Sequence, residues 1–208
     1  MKKIVLSICC ALLGNMMLSA QKTIQLPPTA IPTNVTLMKA LSHRQSVREF
    51  STKDISLQEL SNLLWAANGI NRKNGKRTAP SALNAQDIDI YVCRADGGYL
   101  YEPQSNTLKQ ITGKDLRNEV AGSQDFVKNA PVCLVLVSNE AKFTKGGGEK
   151  WEGVDAGYVS QNICLYCSAT NLATVPRGSM NTAALKKELK LTDKQTPWIN
   201  HPVGYNKK

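Results

Sequence analysis

Val154-Asp-Ala-Gly-Tyr-Val-Ser-Gln-Asn-Ile-Cys-Leu-Tyr-Cys-Ser-Ala-Thr170 is the longest helical candidate in the chain. It is apolar on most of its faces, so it belongs in the centre of the molecule or at a subunit interface. Shortly before it, Val132-Cys-Leu-Val-Leu-Val137 is a continuous apolar run of strand length, suited to the middle of a sheet. A buried helix beside a buried strand sets the class. The flanking segments mix strands and helices without regular alternation, which predicts an α+β fold.

Working back toward the N-terminus, Ile88 to Cys93 alternates as a strand. Gly97-Gly98 is expected to turn the chain, and Tyr99–Tyr101 with Thr107–Ile111 form a small hairpin. Ser56-Leu-Gln-Glu59 is a capping box that opens a helix carrying Leu57, Leu60, Leu63, Leu64 and Ala67. Asn68-Gly69 closes it in the manner of a C-terminal cap. Leu37, Met38 and Leu41 mark a short helix that ends before Arg44. Arg72 to Ala85 is a polar, basic loop. Toward the C-terminus, Asp115–Val120 and Ala184–Leu189 are short helices, Lys145 to Lys150 is a glycine-containing loop, and Ile199 to Tyr205 leads to a basic end.

The chain has 208 residues and a formal charge of +10, with 42% hydrophobic and 20% charged residues. That composition supports a folded core rather than disorder, and the length suits one domain plus short arms. No collagen period, heptad or long repeat is present. His43 and His201 are the two histidines. A histidine-rich metal site is therefore excluded, and no convincing catalytic triad emerges. The basic residues are dispersed and form no nucleic-acid motif, so nucleic acid is not expected as a partner.

Residues 1–20 read as a secretory signal peptide. Lys2-Lys3 precede an apolar run from Ile4 to Leu13, and Leu18-Ser-Ala20 offers a small residue for cleavage. The run is shorter than the roughly 20 residues needed to span a bilayer. An exported, periplasmic protein without an integral membrane segment after cleavage is expected. Residues 21–35, with Pro27, Pro28 and Pro32, form an extended arm, and residues 36–208 form one domain. Cys93, Cys133, Cys164 and Cys167 remain after cleavage. Cys164 and Cys167 could be a redox or metal pair, or small core residues on one helical face. The absence of a second CxxC favours the core role.

Three segments put polar groups on loops at the ends of elements. In Arg44-Gln-Ser46-Val-Arg48, spacing of two turns two guanidinium groups and a hydroxyl to one side, as a phosphate with nearby carbonyls requires. By spacing alone, the segment is better accounted for as a solvated basic strand. Pro80-Ser81-Ala-Leu-Asn84 precedes a core strand, where binding residues and ordinary turns both occur. Pro176-Arg177-Gly178-Ser179 offers a glycine for close approach to a planar ligand, and Lys207-Lys208 could reach a phosphate or form a frayed tail.

In their order along the chain these segments resemble the FMN-dependent nitroreductase family. Arg44-x-Ser46-x-Arg48-Glu-Phe50 is similar to its opening flavin motif, and Leu60-x-x-Leu-Leu-Trp-Ala-Ala-x-Gly69 to the helix after it. Arg77-Thr-Ala-Pro80-Ser81-Ala-Leu-Asn84 resembles the second flavin motif, and Asp155-x-Gly157-x-x-x-Gln161-Asn162 the long interface helix. Leu172-Ala-Thr-x-Pro176-x-Gly178 and Pro202-Val-Gly-Tyr205 complete the series. The family usually continues with Pro where Asn206 stands. Asp87 follows Gln86 where nitroaromatic-reducing members often have Pro and an aromatic residue. Arg77 to Val92 looks more like the branch that includes peptide-azoline dehydrogenases.

The resemblance implies a sandwich with a central, mainly antiparallel sheet flanked by helices, assembled as a homodimer with two FMN sites at the interface. Arg44 would bind the FMN phosphate, Ser46 the phosphate–ribityl region, and Arg48 the N1/O2 edge of the ring. Ser81 and Asn84, next to Pro80, would arrive from the other subunit. Gly178, after Pro176, would lie near the ring and Lys207 near the phosphate. The flavin would carry the chemistry with no catalytic side chain or metal, passing electrons between a donor and a small organic substrate. NAD(P)H is a possible donor, though it conflicts with export. The alternative is a non-catalytic exported protein that binds flavin or another anionic ligand on the same fold.

Overall fold

A computed structural model of the chain describes residues 21–30 and 34–207; the expected signal peptide and Lys208 lie outside them. Its centre is a seven-stranded sheet of order β1-β4-β3-β2-β5-β7-β6, antiparallel at every pairing. The strands are β1 Thr23–Gln25, β2 Ile88–Arg94, β3 Gly97–Glu102, β4 Thr107–Thr112, β5 Val132–Asn139, β6 Leu172–Thr174 and β7 Gln195–Tyr205. The helices are α1 Leu37–His43, α2 Leu57–Asn68, α3 Arg117–Ala121, α4 Gly148–Ala169 and α5 Thr182–Glu188.

The unbroken apolar run in β5 follows from burial on both faces. Leu134 and Leu136 pack with Leu60, Leu63 and Leu64 of α2 and Val159 and Ile163 of α4. Cys133, Val135 and Val137 point the other way, toward Leu116 at the start of α3, Val120 within it and Leu185 of α5. The period of two along a strand divides one sequence between two cores. Cys93 and Cys133 face each other across β2 and β5, and all four described cysteines are free and buried.

Helix α2 starts as expected. Ser56 Oγ accepts the Glu59 N–H at 3.2 Å, and Glu59 Oε2 accepts the Ser56 N–H at 2.9 Å. Such a cap stabilises by about 1 kcal/mol. Its C-terminus ends differently. Gly69 is extended (φ −77°, ψ 166°) rather than left-handed. Glycine is required there because a Cβ would lie 2.6 Å from Trp65 Cα.

Other expectations shift. The turn between β2 and β3 is Ala95-Asp96, and Gly97 (φ 143°) already opens β3. Helix α4 begins at Gly148, so the expected loop at Lys145–Lys150 is shorter. Gly147 (φ 90°) makes the turn into the helix. The arm supplies an edge strand, β1, against β4. No helix among the described residues is long and apolar enough to cross a membrane.

Candidate functional site

Two of the three polar segments meet at the β6–β7 edge of the sheet. The stretch after α1 runs alongside it: Val47 N–H donates to Thr174 O (3.0 Å), Ser51 N–H to Tyr205 O (2.8 Å) and Lys207 N–H to Glu49 O (3.2 Å). Phe50 pairs with Asn206 as an isolated bridge. With Phe50 buried and Val47 half-buried, Arg44, Ser46 and Arg48 are left exposed. None of Arg44, Arg48 and Lys207 has a carboxylate partner among the described residues. A cleft of about 760 Å³ opens at this edge, lined by His43, Gln45, Val47, Cys164, Thr174 and Asn206; Arg44, Ser46, Arg48 and Lys207 flank these residues in sequence and are not part of the lining. That volume lies within the range of small-molecule sites.

Pro176 and Gly178 sit on the loop after β6, on either side of a fixed anchor. The Arg177 backbone exchanges hydrogen bonds with Asn200 at 2.9 and 2.7 Å. Its guanidinium donates to Gln124 Oε1, Val120 O, Ala121 O and Asn200 Oδ1. Arg177 is therefore a buried brace, and its neighbours face outward. Gly178 is exposed, and the nearest atom to a Cβ built there is Trp198 O at 4.0 Å. No packing among the described residues requires a glycine at 178.

The third segment lies elsewhere. Ala82 N–H donates to both carboxylate oxygens of Asp155 on α4, at 3.1 and 2.9 Å. Ser81 Oγ accepts the Gln86 N–H at 2.9 Å, which leaves its O–H free to donate. Arg77 braces the segment through Gln86 Oε1 and Asn68 O. Leu83, Asn84 and Gln86 all have positive φ (55°, 55° and 51°). Left-handed non-glycine residues cost energy, and clusters of them occur at ligand clamps. Asn84 is exposed and its side chain has no hydrogen-bond partner among the described residues.

Pro80, Ser81 and Asn84 are thus not beside Arg44 within one chain. Ser168, near the C-terminus of α4, donates to Ala40 O of α1, whereas Asp155 holds the Ser81 turn in the helix's N-terminal half. Thirteen residues of helix separate the two anchor points by about 20 Å.

Cys164 borders the cleft, yet burial raises its thiol pKa despite the opposing field of Arg44. Cys167 is raised further, again by burial. Neither is a ready thiolate. Among the described residues no cluster of three or more metal-ligating side chains exists. Glu59 is pushed up by burial, but hydrogen bonds from Tyr205 and Ser56 outweigh this and hold it below the usual carboxylate range. Asp155, as the anchor of the Ser81 turn, had no role assigned from sequence; its place in the Asp155-x-Gly157 pattern was the available signal.

Residues 41–205 match the Nitroreductase family, and the chain belongs to that family. A candidate nitroreductase of Methanocaldococcus jannaschii is 31% identical over 193 residues, covering 87% of this chain and 95% of that protein. The crystal structure of a candidate nitroreductase from Ralstonia eutropha JMP134 superposes with a TM-score of 0.85 at 34% identity, covering 91% of this chain and 92% of that one. An FMN-dependent nitroreductase from Clostridium difficile R20291 shares the fold at 17% identity, with a TM-score of 0.58, covering 82% of this chain and 88% of that one.

Proposed function

We propose that the chain is an FMN-dependent oxidoreductase that works as a homodimer with a flavin site at each end of the shared interface. The observation that carries it is the β6–β7 edge. There, Arg44, Ser46, Arg48 and Lys207 are exposed and have no carboxylate partner among the described residues. Gln45, Val47 and Asn206, which alternate with them, line a cleft, and the exposed Gly178 on the loop after β6 has open space where a Cβ would lie. Arg44 and Lys207 would neutralise the phosphate through charge-assisted hydrogen bonds. Ser46 would hold the ribityl end. Arg48 would set positive charge against the N1/O2 edge, favouring the reduced, anionic ring. Gly178, with Pro176 before it, would let the ring lie against backbone. FMN, when bound, supplies the electron transfer itself.

The dimer accounts for the second cluster. Pro80, Ser81 and Asn84 are about 20 Å from Arg44's neighbourhood along α4, so a partner related by a twofold axis would bring them to the flavin. Exposed apolar residues border both clusters: Leu37 (63% exposed) and Met38 (73%) on α1, and Leu83 (56%) and Tyr158 (47%) at the other end. Gly157 meets nothing within 4 Å and leaves room for close helix approach.

The substrate is a small organic molecule, and the Arg77–Val92 segment favours the dehydrogenase-like branch. Residues 1–20 support export, in which case the donor is not a cytoplasmic nicotinamide. The test is the absorption spectrum of the purified chain with added FMN, then anaerobic NADH, NADPH and dithionite. A bound flavin that bleaches and reoxidises with an acceptor supports the enzyme. A bound flavin that never turns over indicates a binding protein instead. The absence of bound flavin overturns the proposal.

A further inference from the structure

Beneath the Ser81–Gln86 turn lies a buried carboxyl pair. Asp87 is 0% exposed and Asp155 1%. Ser138 Oγ donates to Asp87 Oδ2 at 2.8 Å, while Asp87 Oδ1 is buried with no hydrogen-bond partner among the described residues. The Asp155 carboxyl acts on Asp87 through its charge and as a side-chain hydrogen-bond partner, and both raise the Asp87 carboxyl pKa. Two ionised carboxylates offer each other no proton, so a hydrogen bond between this pair requires that one of them be protonated. Asp155 in turn accepts the Ala82 N–H with both oxygens.

We propose that Asp87 and Asp155 share one proton, and that this bond is a positioning pair that fixes Asp155 under Ala82 and so sets Ser81 and Asn84 for the ligand. The ligand half of this statement rests on the function proposed above. Burial and the Asp155 charge raise Asp87 to about 7, so the proton is held in mildly acid solution and lost above neutrality. The other charged groups around the pair are engaged elsewhere. Arg77 donates to Gln86 and Asn68, and Lys142 pairs with Asp89 at 2.6 Å and reaches Gln86 O at 3.3 Å. Glu152, one turn earlier on α4, accepts from Trp198 Nε1 at 3.1 Å. When the shared proton leaves, two like charges face each other in a dry site, and the turn is the part free to move.

The test uses the full chain, wild type and Asp87→Asn, at about pH 6 and about pH 8.5, on either side of the titration. In the flavin-free protein, a protonated-carboxyl C=O stretch should be present at the lower pH in wild type, vanish at the higher pH, and be missing in Asp87→Asn. Over the same interval the protection factor of the Ala82 amide should fall in wild type and stay constant in the variant, whose carboxamide donates at every pH. FMN affinity should weaken by about fivefold or more in wild type and stay level in Asp87→Asn. If Asp87→Asn fails to fold, Asp155→Asn can still accept from Ala82 and donate to Asp87, and should flatten the same curves. No carboxyl band at the lower pH overturns the shared proton. Parallel pH curves for wild type and variant overturn the positioning role. Failure of FMN to bind at either pH, with band and protection behaving as stated, overturns the flavin proposal and leaves the pair standing.

Discussion

Ser160 of α4 and His201 of β7 are joined by a 2.8 Å hydrogen bond in a wholly buried site, and the other ring nitrogen of His201 meets Thr174 Oγ1 at 3.1 Å. The imidazole thereby ties the long helix to the two strands at the site's edge, and Thr174 O receives the Val47 N–H. Burial drops the His201 pKa to about 3, so the ring is neutral in the folded chain. The unfolded ring titrates near its ordinary value of about 6.5. The unfolded state therefore binds the extra proton, and the stability that His201 lends above this value is lost as pH falls toward 3. Thermal unfolding from neutral to acid pH should show a shallower acid limb for His201→Gln than for wild type; equal slopes would rule out this histidine as the cause.

Arg44→Ala should weaken FMN binding by about 1.5–3 kcal/mol, roughly ten- to 150-fold, because one charge-assisted phosphate contact is removed. Fluorescence titration measures it. Lys53, which stacks on Tyr205 at 4.5 Å, gives a control of equal charge change. Equal losses from Lys53→Ala would mean that bulk charge, not a phosphate contact, is being read.

Gly178→Leu separates the site from the fold. Its Cβ meets nothing closer than 4.0 Å, so stability should change by no more than about 0.5 kcal/mol. The added side chain fills the space proposed for the ring, and the bound flavin spectrum should disappear. A variant that still takes up FMN normally would move the ring elsewhere.

Arg177→Met should do the reverse, acting through stability. It strips a donor from Val120 O, Ala121 O, Gln124 and Asn200 in a buried pocket. At about 1–3 kcal/mol per stranded buried group, partly offset by relaxation, a loss of about 3 kcal/mol or more is expected in denaturant unfolding. A loss under about 1 kcal/mol would show that water replaces the guanidinium.

Much of this fold was legible where local chemistry was strong. The Ser56 capping box, the β2–β4 strands and the Val132 run each carried a signal that needed no distant partner. Strand β7 did not. Its Pro197 and Pro202 argue against a strand, yet Pro197 pairs with Val137 beside a register shift, where a missing N–H is tolerated. The strand exists because buried β5 must satisfy its second edge. Strands β1 and β6, three residues each, likewise arise from long-range pairing. At the site, the exposed residues were readable as motifs. Their supports were not: Arg177 sits inside a ligand-like motif but faces inward, and the apposition of Asp87 and Asp155 spans 68 positions that no local pattern connects.

Helix α4 holds the Ser81 turn in its N-terminal half and the neighbourhood of Arg44 at its C-terminal end. In the proposed dimer no single chain owns a complete pocket, so ligand uptake and subunit pairing become one equilibrium. Each must strengthen the other by the same factor. Dilution would then strip the ligand as well as the partner, and the cofactor content of a preparation would record how concentrated the chains were when they met it.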